Sequence, residues 1–212
     1  MPAQLSTTSY AVLGLLSLRS WTGYELVQQG RRTLVHIWPK EDSVLYEEPR
    51  RLVAHGLARA HKEREGGRVR NRYEITDEGR VALREWLGAP SAAPRLELEP
   101  MLRLFFADQG EVPDALAAVA ALRDWAATRY AAGAEIIRDQ SRQVLFPERV
   151  HIGVLVAQLY IDLYSTMISF ADLADKEIRT WPRTDGLGLT DRTQELIDEL
   201  LETIGHEPDA TS

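Results

Sequence analysis

The sequence predicts a mainly α protein in two parts. An N-terminal unit of three helices, a two-stranded β-hairpin and a further helix is followed by a helical half with a long C-terminal helix. Three observations predict it. Apolar spacing is helical throughout, except over residues 57–75, where it turns to alternation on either side of Gly66-Gly67. The stretch Gly88-Ala-Pro-Ser-Ala-Ala-Pro94 has linker composition. The charge is also divided: residues 1–88 hold 14 Lys/Arg against 11 Asp/Glu, and residues 89–212 hold 11 against 21. The expected boundaries are a first domain over 1–88, a linker over 89–96 and a second domain over 97–212.

In order along the chain, Ser6, Thr7 and Thr8 precede Tyr10-Ala-Val-Leu-Gly-Leu-Leu-Ser-Leu18, a polar cap before a helix apolar on nearly every face. Thr22 to Gly30 reads as a short capped helix, with Leu26 and Val27 for the core and Gly30 as its stop. Trp38-Pro39 breaks the regularity. A third helix from Asp42 or Ser43 to His55 buries Leu45, Leu52 and Val53, with Gly56 past its end and a kink or 3₁₀ turn at Pro49. Residues 57–63 and 69–75 form the hairpin strands. Alternation in the second places Val69, Asn71, Tyr73 and Ile75 on one face and Arg68, Arg70 and Arg72 on the other. Thr76 caps a fourth helix opened by Asp77 and Glu78, with an apolar stripe of Leu83, Trp86 and Leu87. Three helices, a hairpin and a helix are the order of a winged helix-turn-helix.

The second half reads as a helix from Leu98 to Gln109, one opened by Pro113 and Asp114 that reaches toward Gln143, and one from Val150 to Trp181. The last carries Ile152, Val156, Leu159, Leu163, Met167, Phe170, Ala174 and Ile178 at gaps of three or four, which keeps them on one face. One small helical domain cannot readily cover so long a stripe. A second copy of the chain is its natural cover, and a homodimer is expected. A final helix, capped by Thr190, carries Leu196, Ile197, Leu200, Leu201 and Ile204.

Composition narrows the chemistry. The chain has 212 residues, 44% hydrophobic and 27% charged, as in an ordinary globular protein. Zero cysteines remove disulfides, thiolate metal sites and cysteine nucleophiles, and the five histidines are too scattered for paired metal ligation, so neither metal nor cofactor is expected. There is no glycine-rich phosphate loop or nucleophile elbow, and an enzyme is not expected. No unbroken run of about 18 apolar residues or secretory signal stands out, so a cytoplasmic protein with no membrane partner is expected. The net charge of −7 disfavours a nucleic-acid partner, but a net +3 on residues 1–88 reverses that for the first domain.

The motifs Ala11-Val-Leu-Gly-Leu-Leu16, Gly23-Tyr-Glu-Leu26, Leu45-Tyr46, Arg51-Leu-Val-Ala-His-Gly-Leu57 and Tyr73-Glu-Ile-Thr-Asp-Glu-Gly-Arg80 together resemble the PadR family of bacterial transcriptional regulators. The resemblance covers residues 8–87; beyond them, Leu104-Phe-Phe106 and the long terminal helix look like the family's dimerisation domain. Ile75 stands where the family often has leucine, and Glu47, Glu48 and Pro49 make the third helix less basic. The resemblance implies a dimer on double-stranded DNA at an inverted repeat, repression by occluding a promoter, and aromatic or drug-like effectors in some members.

On a winged-helix frame, Ser43, Tyr46, Glu47 and Arg50 share the face of the third helix that meets base edges. Arg50 and Glu47 read equally well as a solvated surface. Arg68, Arg70 and Arg72 suit phosphates or the minor groove, or else a charge ladder against Glu63 and Glu65. Lys40 and the hydroxyls of Thr22 and Tyr24 are further phosphate candidates, although Tyr24 reads equally well as core. Candidates for the dimer interface are Ile152, Val156, Leu159, Leu163, Met167, Phe170 and Ile178. A small aromatic effector would be lined by Phe105, Phe106, Trp125, Tyr160 and Tyr164, although aromatics at helical spacing also suit a plain core. The competing reading is a helical protein-interaction module without DNA binding.

Overall fold

The computed structural model describes residues 5–65, 68–142 and 144–205. It divides into two compact units, with the main boundary between Arg95 and Leu96. The first contains α1 (Thr7–Leu18), β1 (Trp21–Thr22), α2 (Gly23–Thr33), α3 (Asp42–Ala54), β2 (Ala58–Glu65), β3 (Arg68–Ile75) and α4 (Asp77–Gly88).

Helix α1 opens on a capping box in which Ser6 and Ser9 satisfy each other's backbone N–H groups. Its Val12, Leu13, Leu15 and Leu16 are buried because α2, α3, α4 and β3 all pack against it. Leu26, Val27, Leu45, Leu52, Ala58, Tyr73 and Ile75 complete that core. Fully burying a side chain of this size contributes about 1.5–3 kcal/mol.

Four expectations for this unit change. The sheet has three antiparallel strands in the order β1-β3-β2, with Trp21 opposite Tyr73 and Thr22 opposite Arg72. A two-residue strand is too short to show alternation, so only the hairpin was readable. Gly30 does not stop α2, which runs on to Thr33. A Cβ there would lie 2.7 Å from Leu45 Cδ1, so the glycine allows α2 and α3 to approach. Of the kink or 3₁₀ turn expected at Pro49, the 3₁₀ turn does not form: α3 is α-helical through that buried proline. On α4, Trp86 and Leu87 are exposed; Trp86 stacks on Tyr10 with centroids 4.9 Å apart, while Gly79 is the buried residue. Gly56 does adopt a positive φ of 74° past the end of α3.

The second unit contains α5 (Glu99–Phe105), a 3₁₀ turn (Ala107–Gln109), α6 (Val112–Arg142), a 3₁₀ turn (Pro147–Arg149), α7 (Val150–Ile178) and α8 (Asp191–Gly205). Its core forms two clusters. Ala115 and Val119 of α6 meet Ala171, Ala174 and Ile178 of α7, and Leu122 and Ala126 meet Tyr164 and Met167. Arg123 Nε, 2.6 Å from Asp172 Oδ1, bridges the same two helices.

This packing corrects the proposed dimer stripe. Met167 and Ile178 are buried within their own chain, so these two do not present a face to a partner, while Phe170 is half-buried against both clusters. The stripe divides because α6 covers only the C-terminal half of α7. In the other half Ile152, Val154, Leu155 and Leu159 are exposed, Leu155 at 73%, while Val156 and Leu163 are half-buried. The stretch Pro147–Ile178 is long and apolar enough to cross a membrane by length and composition. Gln158 and Asp162 interrupt it, which is why no unbroken apolar run was apparent. Helix α8 starts against the end of α7 through Arg192, whose guanidinium reaches Glu177 at 2.6 Å and Glu195 at 3.0 Å. Its Ile197, Leu200, Leu201 and Ile204 are exposed.

Candidate nucleic-acid interface

In the first unit, α3 exposes the face expected of it. Leu45, Glu48, Pro49 and Leu52 point into the core, so Ser43, Tyr46, Glu47 and Arg50 point out. The roll of the helix is held at Glu48. Its buried carboxylate accepts from Ser9 Oγ of α1 at 2.5 Å and from Arg51 Nη1 at 3.0 Å. The start of α3 is tied to α2 by Arg31, whose Nε donates to Asp42 Oδ1 at 3.0 Å. That hydrogen bond and the guanidinium charge hold the Asp42 carboxyl below its ordinary range.

Helix α2 begins beside this face. Thr22 is its N-cap, with its hydroxyl accepting the Glu25 N–H at 3.2 Å and Glu25 Oε2 accepting the Thr22 N–H at 2.8 Å. Burial alone would push the Glu25 carboxyl up, but the Thr22 hydrogen bonds and the charges of Arg72 and Arg19 outweigh it and hold it low. A Cβ at Gly23 would lie 3.2 Å from the Tyr46 ring, so the glycine lets that ring sit close to the start of α2.

Between α2, α3 and β3 lies a groove of about 470 Å³, lined by Thr22, Gly23 and Tyr24, by Tyr46 and Arg50, and by Val69, Arg70, Asn71 and Tyr73. It brings together five sequence candidates, Thr22, Tyr24, Tyr46, Arg50 and Arg70. Thr22, however, is 2% exposed with its hydroxyl engaged as the cap, so it builds the groove and offers no hydroxyl to a phosphate. Tyr24 is exposed, which removes the reading of it as core. Lys40, Ser43 and Glu47 are exposed outside the lining, and Lys40 Nζ sits 5.1 Å from the Trp38 ring centre.

Arg72 is engaged within the protein. It donates from Nε to Glu63 at 2.6 Å and from Nη1 to the Ser20 carbonyl at 3.1 Å and to Glu25 at 3.2 Å. The side chain of Arg68 and the hairpin tip at Gly66-Gly67 lie outside the described residues. Gly23, Val69, Asn71 and Tyr73 were missed as lining residues. Alternation put the last three on one face of β3 without saying what covers it; Tyr73 and Ile75 are buried, whereas Val69 is 56% exposed because the hairpin extends past that core.

The aromatic candidates of the second unit fall into two groups. Trp125 and Tyr164 pack edge to face at 5.6 Å, with Tyr160 6.1 Å from Tyr164 and the Arg129 guanidinium 5.9 Å from the centre of the Trp125 ring. Tyr164 is core, packed with Leu122, Ala126 and Met167, and burial pushes its hydroxyl pKa up. A side chain so filled in does not line an open pocket. Phe105 and Phe106 pack on each other at 5.0 Å, are largely exposed, and make no described ring contact with that cluster.

Residues 12–85 match the model of the transcriptional regulator PadR-like family. The negative transcriptional regulator PadR of Bacillus subtilis (strain 168) is 28% identical over 99 residues, which is 46% of this chain and 54% of that protein, so the match spans about half of the curated relative. The crystal structure of Bacillus subtilis PadR in complex with operator DNA superposes with a TM-score of 0.68 at 21% identity, covering 82% of this chain and 99% of that one. The same protein in complex with p-coumaric acid gives a TM-score of 0.60 at 20% identity, again over 82% and 99% of the two chains. These likenesses establish a shared fold, and the match to the transcriptional regulator PadR-like family lies within the first unit, over residues 12–85.

Proposed function

We propose that this chain is a sequence-specific DNA-binding transcriptional regulator that acts as a homodimer and represses by occluding a promoter. The carrying observation is the groove between α2, α3 and β3, where Tyr24, Tyr46, Arg50 and Arg70 line one surface. Arginine forks suit phosphate oxygens and the guanine edge, and tyrosine hydroxyls suit phosphates. In this reading α3 enters the major groove with Ser43, Tyr46, Glu47 and Arg50, and the wing tracks the backbone through Arg68 and Arg70. Residues 1–88 are the DNA-binding part, 89–96 the linker and 97–212 the part that dimerises and receives an effector. The complex of the Bacillus subtilis relative with operator DNA supports the reading. In this reading the protein works in the cytoplasm.

The exposed half of α7, through Ile152, Leu155 and Leu159, supports dimerisation, since a second copy would cover it. Two such units read an inverted repeat with half-sites about 34–36 Å apart. The complex of the relative with p-coumaric acid supports a small aromatic effector, for which Trp125 and Tyr160, beside Arg129, offer a ring face and a cation.

The test is fluorescence anisotropy with the DNA upstream of the protein's own gene against a shuffled fragment, across a salt series. The expected result is saturable binding to the native fragment alone, weakening steeply with salt and impaired by Arg70→Ala. Absence of binding to any DNA at low salt would replace this reading with a helical protein-interaction module.

A further inference from the structure

Arg72 occupies the middle strand of the sheet, opposite Thr22 of β1 and His61 of β2. Its three acceptors belong to three places: Glu63 on β2, the carbonyl of Ser20 just before β1, and Glu25 in the first turn of α2. The Glu25 oxygen that meets Arg72 also accepts the Thr22 N–H, so the guanidinium and the α2 cap share one carboxylate. Arg19 stands 4.0 Å from the other oxygen. Both acidic partners are partly exposed, and the Arg72 side chain is 28% exposed. One side chain thus joins the wing to the turn from which Gly23 and Tyr24 enter the groove, with Asn71 and Tyr73 as its neighbours on β3.

We propose that Arg72 is a positioning residue for DNA binding, a brace that sets the spacing between the wing and the first turn of α2, and not a ligand of phosphate. The proposal rests on reading the groove as a DNA site. To reach a phosphate, Arg72 would have to leave Glu25 and Glu63, and Glu63 without this cation and Glu25 with only the more distant Arg19 would then stand beside a polyanion. Only the planar fork serves three acceptors at once from a fixed strand position. Lysine brings the same charge and three donors, but on one nitrogen, which cannot stand where both Nε and Nη1 stand now.

The test uses the full chain with Arg72→Lys and Glu63→Gln, and with Arg72→Ala for the salt series alone. Without DNA, both are expected to speed amide hydrogen exchange several-fold at residues 21–24 and 71–73. With DNA, Arg72→Lys is expected to lose about tenfold in affinity while the slope of log affinity against log salt stays at the wild-type value, since no phosphate contact is removed. Wild-type exchange and affinity in Arg72→Lys would overturn the brace, and so would a slope reduced by about one in Arg72→Ala, the signature of a lost phosphate contact. If the wild-type protein binds no DNA, the functional reading fails, and the exchange measurements still decide whether the brace exists.

Discussion

Ser9 and Glu48 show how a buried polar pair can fix which face a helix exposes. A buried carboxylate needs compensating hydrogen bonds, and Glu48 receives them from Ser9 Oγ and Arg51 Nη1. Ser9→Ala should destabilise the protein by about 1–3 kcal/mol in a denaturant titration, because it leaves part of that carboxylate unsatisfied. Gly79→Ala should cost about 1–3 kcal/mol or more in the same measurement, since a Cβ there would collide with the Leu57 carbonyl and the Ile75 side chain. Glu48 illustrates what was legible. Residues 45, 48 and 52 lie three and four apart, so spacing was enough to put Glu48 on the buried face of α3, but a carboxylate there reads as helix acidity until its partner Ser9 is seen. The role of Gly79 was not legible, because nothing local to Asp77-Glu-Gly announces the carbonyl that packs against it. Arg72 shows a different limit: alternation gave the correct face of β3, but its partners arrive from residues 20 and 25, distant in the chain.

Helix α7 divides into two halves with opposite mutational behaviour. Ile178→Ala opens a cavity against Ala115 and Val119 and should cost about 2–5 kcal/mol without changing which surface is exposed. Leu155→Glu should leave the folded unit intact, because that side chain is 73% exposed in the isolated chain. It should convert the protein to monomers in sedimentation, since a charge at the centre of a covered face lacks a partner. Loss of folding in Leu155→Glu, or a dimer that persists, would show that a second copy does not cover this half. Element by element, the helices were legible because apolar spacing and caps act locally, as at Thr76, whose hydroxyl takes the Gly79 N–H. The division of α7 was not, because periodicity marks an apolar face without naming its cover.

For the whole molecule, charge is unevenly placed: the first 88 residues are net basic and the remainder strongly acidic. On the proposed function, the acidic part would repel a polyanion and the net basic first unit would be the part that meets DNA. Acid stability follows from the paired carboxylates. Asp42, Asp175 and Glu177 titrate below their ordinary range because Arg31, Arg179 and Arg192 donate to them, and Glu25 does so despite its burial. Groups with a lowered native pKa stabilise the fold fully above the unfolded value and lose that contribution as pH falls through the native one. Thermal midpoints should therefore hold through neutral pH and drop below about pH 4, with each exposed pair contributing little.

The bare half of α7 bears finally on how the gene's output responds to its dose. If DNA is held only by two chains joined along that face, operator occupancy rises with roughly the square of chain concentration wherever monomers predominate. Silencing would then set in at a threshold of expression, sharper than one chain acting alone could produce and without any contact between operator sites.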